Sequence, residues 1–100
     1  MIKRTMTRAD VHDFLRSLNG KIFTVEFTKR TTGELRLMRC TTNYKKHLAG
    51  GELAYNPTEK HLIPVVDLDL LRQGDKRPFR SIPTDAVIRI RALGNEYEVK

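Results

Sequence analysis

The clearest hydrophobic pattern in the chain lies near its start, where Val11, Phe14, Leu15 and Leu18 recur at i, i+3, i+4 and i+7. That spacing draws one apolar stripe along a helix and predicts one over residues 7–18. Thr7, with Asp10 three residues on, reads as a shortened capping box, and Asn19-Gly20 supplies a left-handed stop. From Ile22 the period changes to two. Phe23, Val25 and Phe27 alternate with Thr24, Glu26 and Thr28, which predicts a strand over 22–28 with one buried face. Arg30-Thr31-Thr32-Gly33 breaks the alternation as a hairpin turn, with Gly33 available for a positive φ. The return strand, 34–42, places Leu35 and Leu37 on one face and Arg36, Met38 and Cys40 on the other. Both faces are then partly apolar, and the N-terminal helix is the element expected to cover the second.

Residues 43–51 read as a basic connection holding Tyr44, Lys45, Lys46 and His47, and 52–55 as a short strand ended by Asn56-Pro57. A further strand is expected over 61–68, with Pro64 placing it at a start or an edge. A polar loop around Gly74-Asp75 follows, then a short strand over 79–82 and a turn or single 3₁₀ turn at Pro83-Thr84-Asp85. Residues 87–92 form a strand with Ile88 and Ile90 on one face and Arg89 and Arg91 on the other; Gly94-Asn95 turns into a last strand carrying Tyr97 and Val99. Residues 1–6 read as a tail. One helix and about six short, closely spaced strands predict a mainly β single domain over 7–100, a small antiparallel barrel occupying 21–100. A chain of 100 residues suffices for one such core without disulfides or metal.

The run from Phe23 to Thr41, with its basic step at Lys29-Arg30, its glycine turn and its Leu35-Arg36-Leu37-Met38 return, resembles a group of small proteins from tailed bacteriophages and bacterial mobile elements. Leu62 to Asp67 and Phe79 to Pro83 extend the likeness, which spans residues 22–90; Phe79 stands where a tyrosine is common. The resemblance implies a Src-homology-3-like β-barrel and a viral origin. That group has no assigned activity, so no catalytic or binding residue carries over.

Charge changes the picture more than composition does. The net charge is +7, and it is unevenly spread: residues 1–20 carry +2, 21–51 carry +5, 52–69 carry −3 and 70–100 carry +3. Two basic regions flanking an acidic one create a field that favours polyanions. The candidate phosphate contacts are Lys29 and Arg30 at the end of the first strand, Arg36 and Arg39 on its return, and Lys45 and Lys46 beyond. Arg72, Lys76, Arg77 and Arg80 form a later cluster, and Arg89 and Arg91 project from one strand face. Tyr44, Tyr55 and Phe79 are candidates to stack on exposed bases, although aromatics at strand ends more often cap a core.

Other chemistry finds little support. Cys40 is the sole cysteine and sits mid-strand, where such a thiol is packing; it also points to a reducing compartment. His12, His47 and His61 are scattered, and with one cysteine they match no zinc signature. Asp67 and Asp69 share a strand side and read as a solvated edge rather than a Mg²⁺ site, and Gly50-Gly51 lacks the lysine and hydroxyl of a phosphate loop. No apolar core follows Lys3 and Arg4, and the longest apolar run, Leu62 to Val66, is far short of the ~20 residues that cross a bilayer. The expectation is a cytoplasmic, cofactor-free, non-enzymatic monomer or weak dimer with no membrane contact. It would bind DNA or RNA through the phosphate backbone, without strong sequence preference. The alternative is a module that binds a host protein, to which the acidic segment 52–69 is better suited because it repels a polyanion.

Overall fold

The computed structural model describes residues 2–42 and 61–100. Its elements in chain order are β1 (Ile2–Met6), a 3₁₀ turn (Arg8–Asp10) running into α1 (Val11–Ser17), β2 (Phe23–Thr28), β3 (Leu35–Thr41), β4 (Leu62–Asp67), α2 (Leu68–Arg72), β5 (Phe79–Pro83), a second 3₁₀ turn (Thr84–Ala86), β6 (Val87–Ala92) and β7 (Asn95–Val99). The protein is thus mainly β with one N-terminal helix. The seven strands of the described residues form a single sheet in the order β1-β7-β6-β2-β3-β4-β5. The connection 43–51, with Lys45 and Lys46, and the short strand expected at 52–55 lie outside the described residues.

The sheet is neither wholly antiparallel nor closed into a barrel, in contrast to the expectation from strand spacing. β1 pairs with β7 in parallel, from Ile2 opposite Asn95 to Met6 opposite Val99, so residues 2–6 are a strand and not a tail. The ladder continues past the strand, with Lys100 N–H donating to the Met6 carbonyl at 2.9 Å and Arg8 N–H to that of Lys100 at 3.0 Å. The sequence Ile-Lys-Arg-Thr-Met has no clean alternation to announce a strand. What makes it one is the free edge of β7, whose backbone groups it satisfies.

The sheet nonetheless rolls up. β6 and β5 stand four positions apart, about 19 Å in a flat sheet at ~4.8 Å per strand. Only a three-residue 3₁₀ turn separates Pro83 from Val87, and four residues of chain span ~14 Å at full extension. The roll bends where β3 and β4 share just two register pairs, Cys40 with Asp67 and Thr41 with Val66. Inside it lie Phe23, Val25, Met38, Cys40, Ile63, Val65, Ile82, Val87 and Ile90, capped by Val11, Leu15 and Leu18 from the helix.

The helix covers the Met38 and Cys40 face, and Leu35 and Leu37 are left 60% and 71% exposed. Its stop is the expected one: Asn19 and Gly20 both take positive φ, 48° and 86°. Its start is not. The Thr7 hydroxyl donates to the Asp10 carboxylate at 2.8 Å and caps no backbone N–H, because a 3₁₀ turn occupies the first three positions. In β6, a bulge changes which residues face inward. Val25 stands opposite Ile90 but Phe27 opposite Val87, so Ile88 is the extra residue and Val87, with Ile90, is fully buried. Pro64 is not on an edge strand, since β4 lies between β3 and β5; it sits where β4 runs beyond its two-residue pairing with β3.

α2 occupies residues expected to end a strand and begin a loop. Asp67 starts it: its side chain accepts from the N–H groups of Asp69 at 3.0 Å and Leu70 at 3.2 Å, a standard N-cap. Both bonds go to the Oδ1 atom of Asp67, and among the described residues no cluster of three His, Cys, Asp or Glu is placed to hold an ion. No helix among the described residues is long and apolar enough to cross a membrane.

Candidate nucleic-acid interface

The roll leaves a cleft between the β2–β3 hairpin and the β4–β5 hairpin, with a volume of about 340 Å³. Four of the predicted cations line it: Lys29 and Arg30 from the turn after β2, Arg36 from β3 and Arg80 from β5. Among the described residues no carboxylate is part of the lining. The register explains the convergence. Arg36 stands directly opposite Phe27, continuing the inward-facing row of Met38 and Cys40 past the end of the core. Arg80 stands opposite the buried Val65, next in the inward row after Ile82. Both strands therefore aim an arginine into the gap at the point where apolar side chains give out, since residues two apart along a strand share a face.

The turn that carries Lys29 and Arg30 is held by Gly33, whose φ of +73° favours glycine, with its N–H donating to the Lys29 carbonyl at 2.8 Å. Lys29 N–H donates in turn to the Glu34 carbonyl at 2.9 Å. Among the described residues neither Lys29, Arg36 nor Arg80 has a carboxylate within ion-pair distance; Arg80 instead donates to the carbonyls of Phe79 at 2.7 Å and Arg77 at 3.1 Å. Arg30 is partly neutralised by Asp85 at 3.1 Å, a pair whose side chains are both substantially exposed. Such a bridge is screened by solvent and holds the guanidinium loosely.

The remaining predicted cations are placed elsewhere. Arg77 is not in the cleft lining, although its carbonyl accepts from Arg80, and Arg72 and Lys76 are exposed, at the end of α2 and in the loop that follows it. Arg39 pairs with Asp69 at 3.6 Å. Arg89 and Arg91 lie on the outer sheet face in a ladder with Glu26 and Glu96, at 3.5 Å for Arg89 with Glu26 and 3.2 Å for Arg91 with Glu96. Their charge is answered by cross-strand glutamates, which period-two reading of β6 alone does not reveal. Phe79 is half-buried, opposite Val66, and is not in the cleft lining; Tyr44 and Tyr55 lie outside the described residues.

Two features were not visible in the sequence. The apolar floor of the cleft, Phe27, Met38, Leu62 and Pro83, joins residues of four strands. His12 and His61, far apart in the chain, line one second cleft of about 350 Å³ with Arg8 and Asp85. Arg8 is spent there on backbone, donating to the carbonyls of Asp85 at 2.6 Å and Val87 at 3.2 Å.

Cys40 is fully buried, and burial, aided by the Asp67 charge, pushes its thiol well above the ordinary range. A thiol held protonated is a poor nucleophile. Iodoacetamide at pH 8 is expected to leave the native chain unmodified over a time in which the denatured chain is fully labelled, as read by mass spectrometry. Rapid labelling of the native chain would contradict this environment for Cys40.

No family model matches the chain, and no curated protein or solved structure matches it at a significant level.

Proposed function

We propose that this chain is a nucleic-acid-binding module that holds the phosphate backbone in the cleft between its two hairpins, with little sequence preference. One observation supports the reading above the others: Lys29, Arg30, Arg36 and Arg80, drawn from three segments, converge on one concavity with no carboxylate among its described lining. Cations gathered in a shared depression raise the local potential and attract a polyanion more than the same charges dispersed. The rolled sheet is taken as an opened variant of the Src-homology-3-like barrel of small phage proteins, on the strength of the Phe23–Thr41 hairpin and the Leu62–Asp67 strand.

Fluorescence anisotropy with short labelled single-stranded DNA, duplex DNA and RNA, each at two salt concentrations, tests it. Lys29, Arg36 and Arg80 neutralising a phosphate each predict log K against log salt with a slope of about −2 to −3, to which Arg30 adds less because Asp85 already answers it. Absence of binding even at low salt would remove the reading.

A second reading, a module that binds a host protein, is favoured by one observation: Leu35 and Leu37 share the outer face of β3 and are mostly exposed. A pull-down from host lysate with and without nuclease separates the two, because a stoichiometric partner that survives nuclease supports the second.

A further inference from the structure

Resting on the nucleic-acid reading, we infer that the cleft takes an unpaired nucleotide, with phosphates on Lys29, Arg36 and Arg80 and a base laid against the apolar floor. The chain then prefers single strands to duplex. Three observations point this way. The cleft has two kinds of wall: cations at the strand ends, and a floor in which Phe27, Met38 and Pro83 are buried and Leu62 is half-buried. A phosphate-only site has no use for that floor, whereas a base has an apolar face that gains by covering it. The volume, about 340 Å³, lies at the low end of small-ligand sites and leaves room for a base beside the cations.

The third observation concerns the rest of the molecule. A duplex keeps its bases stacked inside and presents a convex phosphate surface, so it touches the rim of a concave site and leaves the floor uncovered. One broad surface open to a duplex is the outer sheet face, and there Arg89 and Arg91 are answered by Glu26 and Glu96. Lys29, Arg36 and Arg80, inside the cleft, have no carboxylate partner among the described residues. A splayed single strand reaches both walls at once, because its bases are free to turn away from its phosphates.

The test uses the wild-type chain and three labelled ligands of equal phosphate number at one salt concentration: a single strand, a duplex, and an abasic strand of deoxyribose phosphate. The single strand is expected to bind roughly tenfold tighter than either of the others, the size of effect expected when a base covers roughly 50–60 Å² of apolar surface. Equal affinity for all three would overturn the base-binding floor while leaving the phosphate reading intact. No binding of any of them at low salt would remove both. Leu62→Ser provides a second check, since Leu62 is only half-buried: it is expected to lower affinity for the normal strand and leave the abasic strand unchanged. Poly-glutamate displacing the labelled strand as effectively as the unlabelled normal strand does would show that the cleft takes any polyanion and would also overturn the inference.

Discussion

Reversing two charges, Lys29→Glu with Arg36→Glu, is expected to weaken nucleic-acid binding by roughly a hundredfold, similarly for every sequence tried. A hydrogen bond to a charged group contributes ~1.5–3 kcal/mol, and each ~1.4 kcal/mol is tenfold. Removing two such hydrogen bonds and adding repulsion gives at least that factor. The salt slope should shrink at the same time, by about 0.7–0.9 for each phosphate that is no longer neutralised. The pair is chosen because neither side chain has an ion-pair partner among the described residues, so the fold loses little. Arg89→Gln with Arg91→Gln serves as the contrast. Those arginines are held by Glu26 and Glu96, and their replacement is expected to leave affinity nearly unchanged while lowering stability by ~1 kcal/mol or less. Titration by anisotropy, beside thermal melts of both variants, measures the two effects separately. The reversal removes four units of charge and the neutralisation two, so a fall in log K about half as large for the second variant would mean that total charge, and not the cleft, governs binding.

Deleting residues 1–6 should cost about 3 kcal/mol or more and lower the melting temperature by roughly 10 °C or more. The segment is a five-residue strand, each of its backbone hydrogen bonds contributes ~1 kcal/mol, and Met6 packs against the core. For a domain of this size, ~1 kcal/mol shifts the midpoint by about 4–8 °C. The deletion would also expose β7 along its whole length, leaving an unpaired edge that invites association between molecules. Light scattering alongside calorimetry would record both. An unchanged midpoint would show that these residues behave as the tail that their sequence suggests.

The elements legible in the sequence are those in which side-chain pattern and backbone signal agree locally. The stripe from Val11 to Leu18 with its Asn19-Gly20 stop, the alternation from Phe23 to Phe27 with its Gly33 turn, and the strand over Val87 to Ala92 all appear where the pattern puts them. In each, what decides the structure lies within a few residues. α2 is hidden because Asp67 reads as a strand residue until its side chain is seen accepting two N–H groups ahead of it. The inward face of β6 does not follow from alternation because a bulge opposite Glu26 and Phe27 shifts the register, and a bulge depends on the partner strand.

The site divides in the same way. Composition and order along the chain determined that this protein is basic, that its charge is concentrated around the first hairpin and in the C-terminal third, and that Lys29, Arg30, Arg36 and Arg80 were candidates. They also determined the helix, the principal hairpin and a mainly β core. Only the tertiary structure decided that those four cations share one cleft, that Arg39, Arg89 and Arg91 are answered by carboxylates, and that the first strand closes an edge instead of trailing as a tail. The physical reason is range. Helical and strand periodicity are set by backbone geometry over a handful of residues, whereas pairing of charges and closure of sheet edges depend on which distant segments the roll of the sheet brings within a few ångströms.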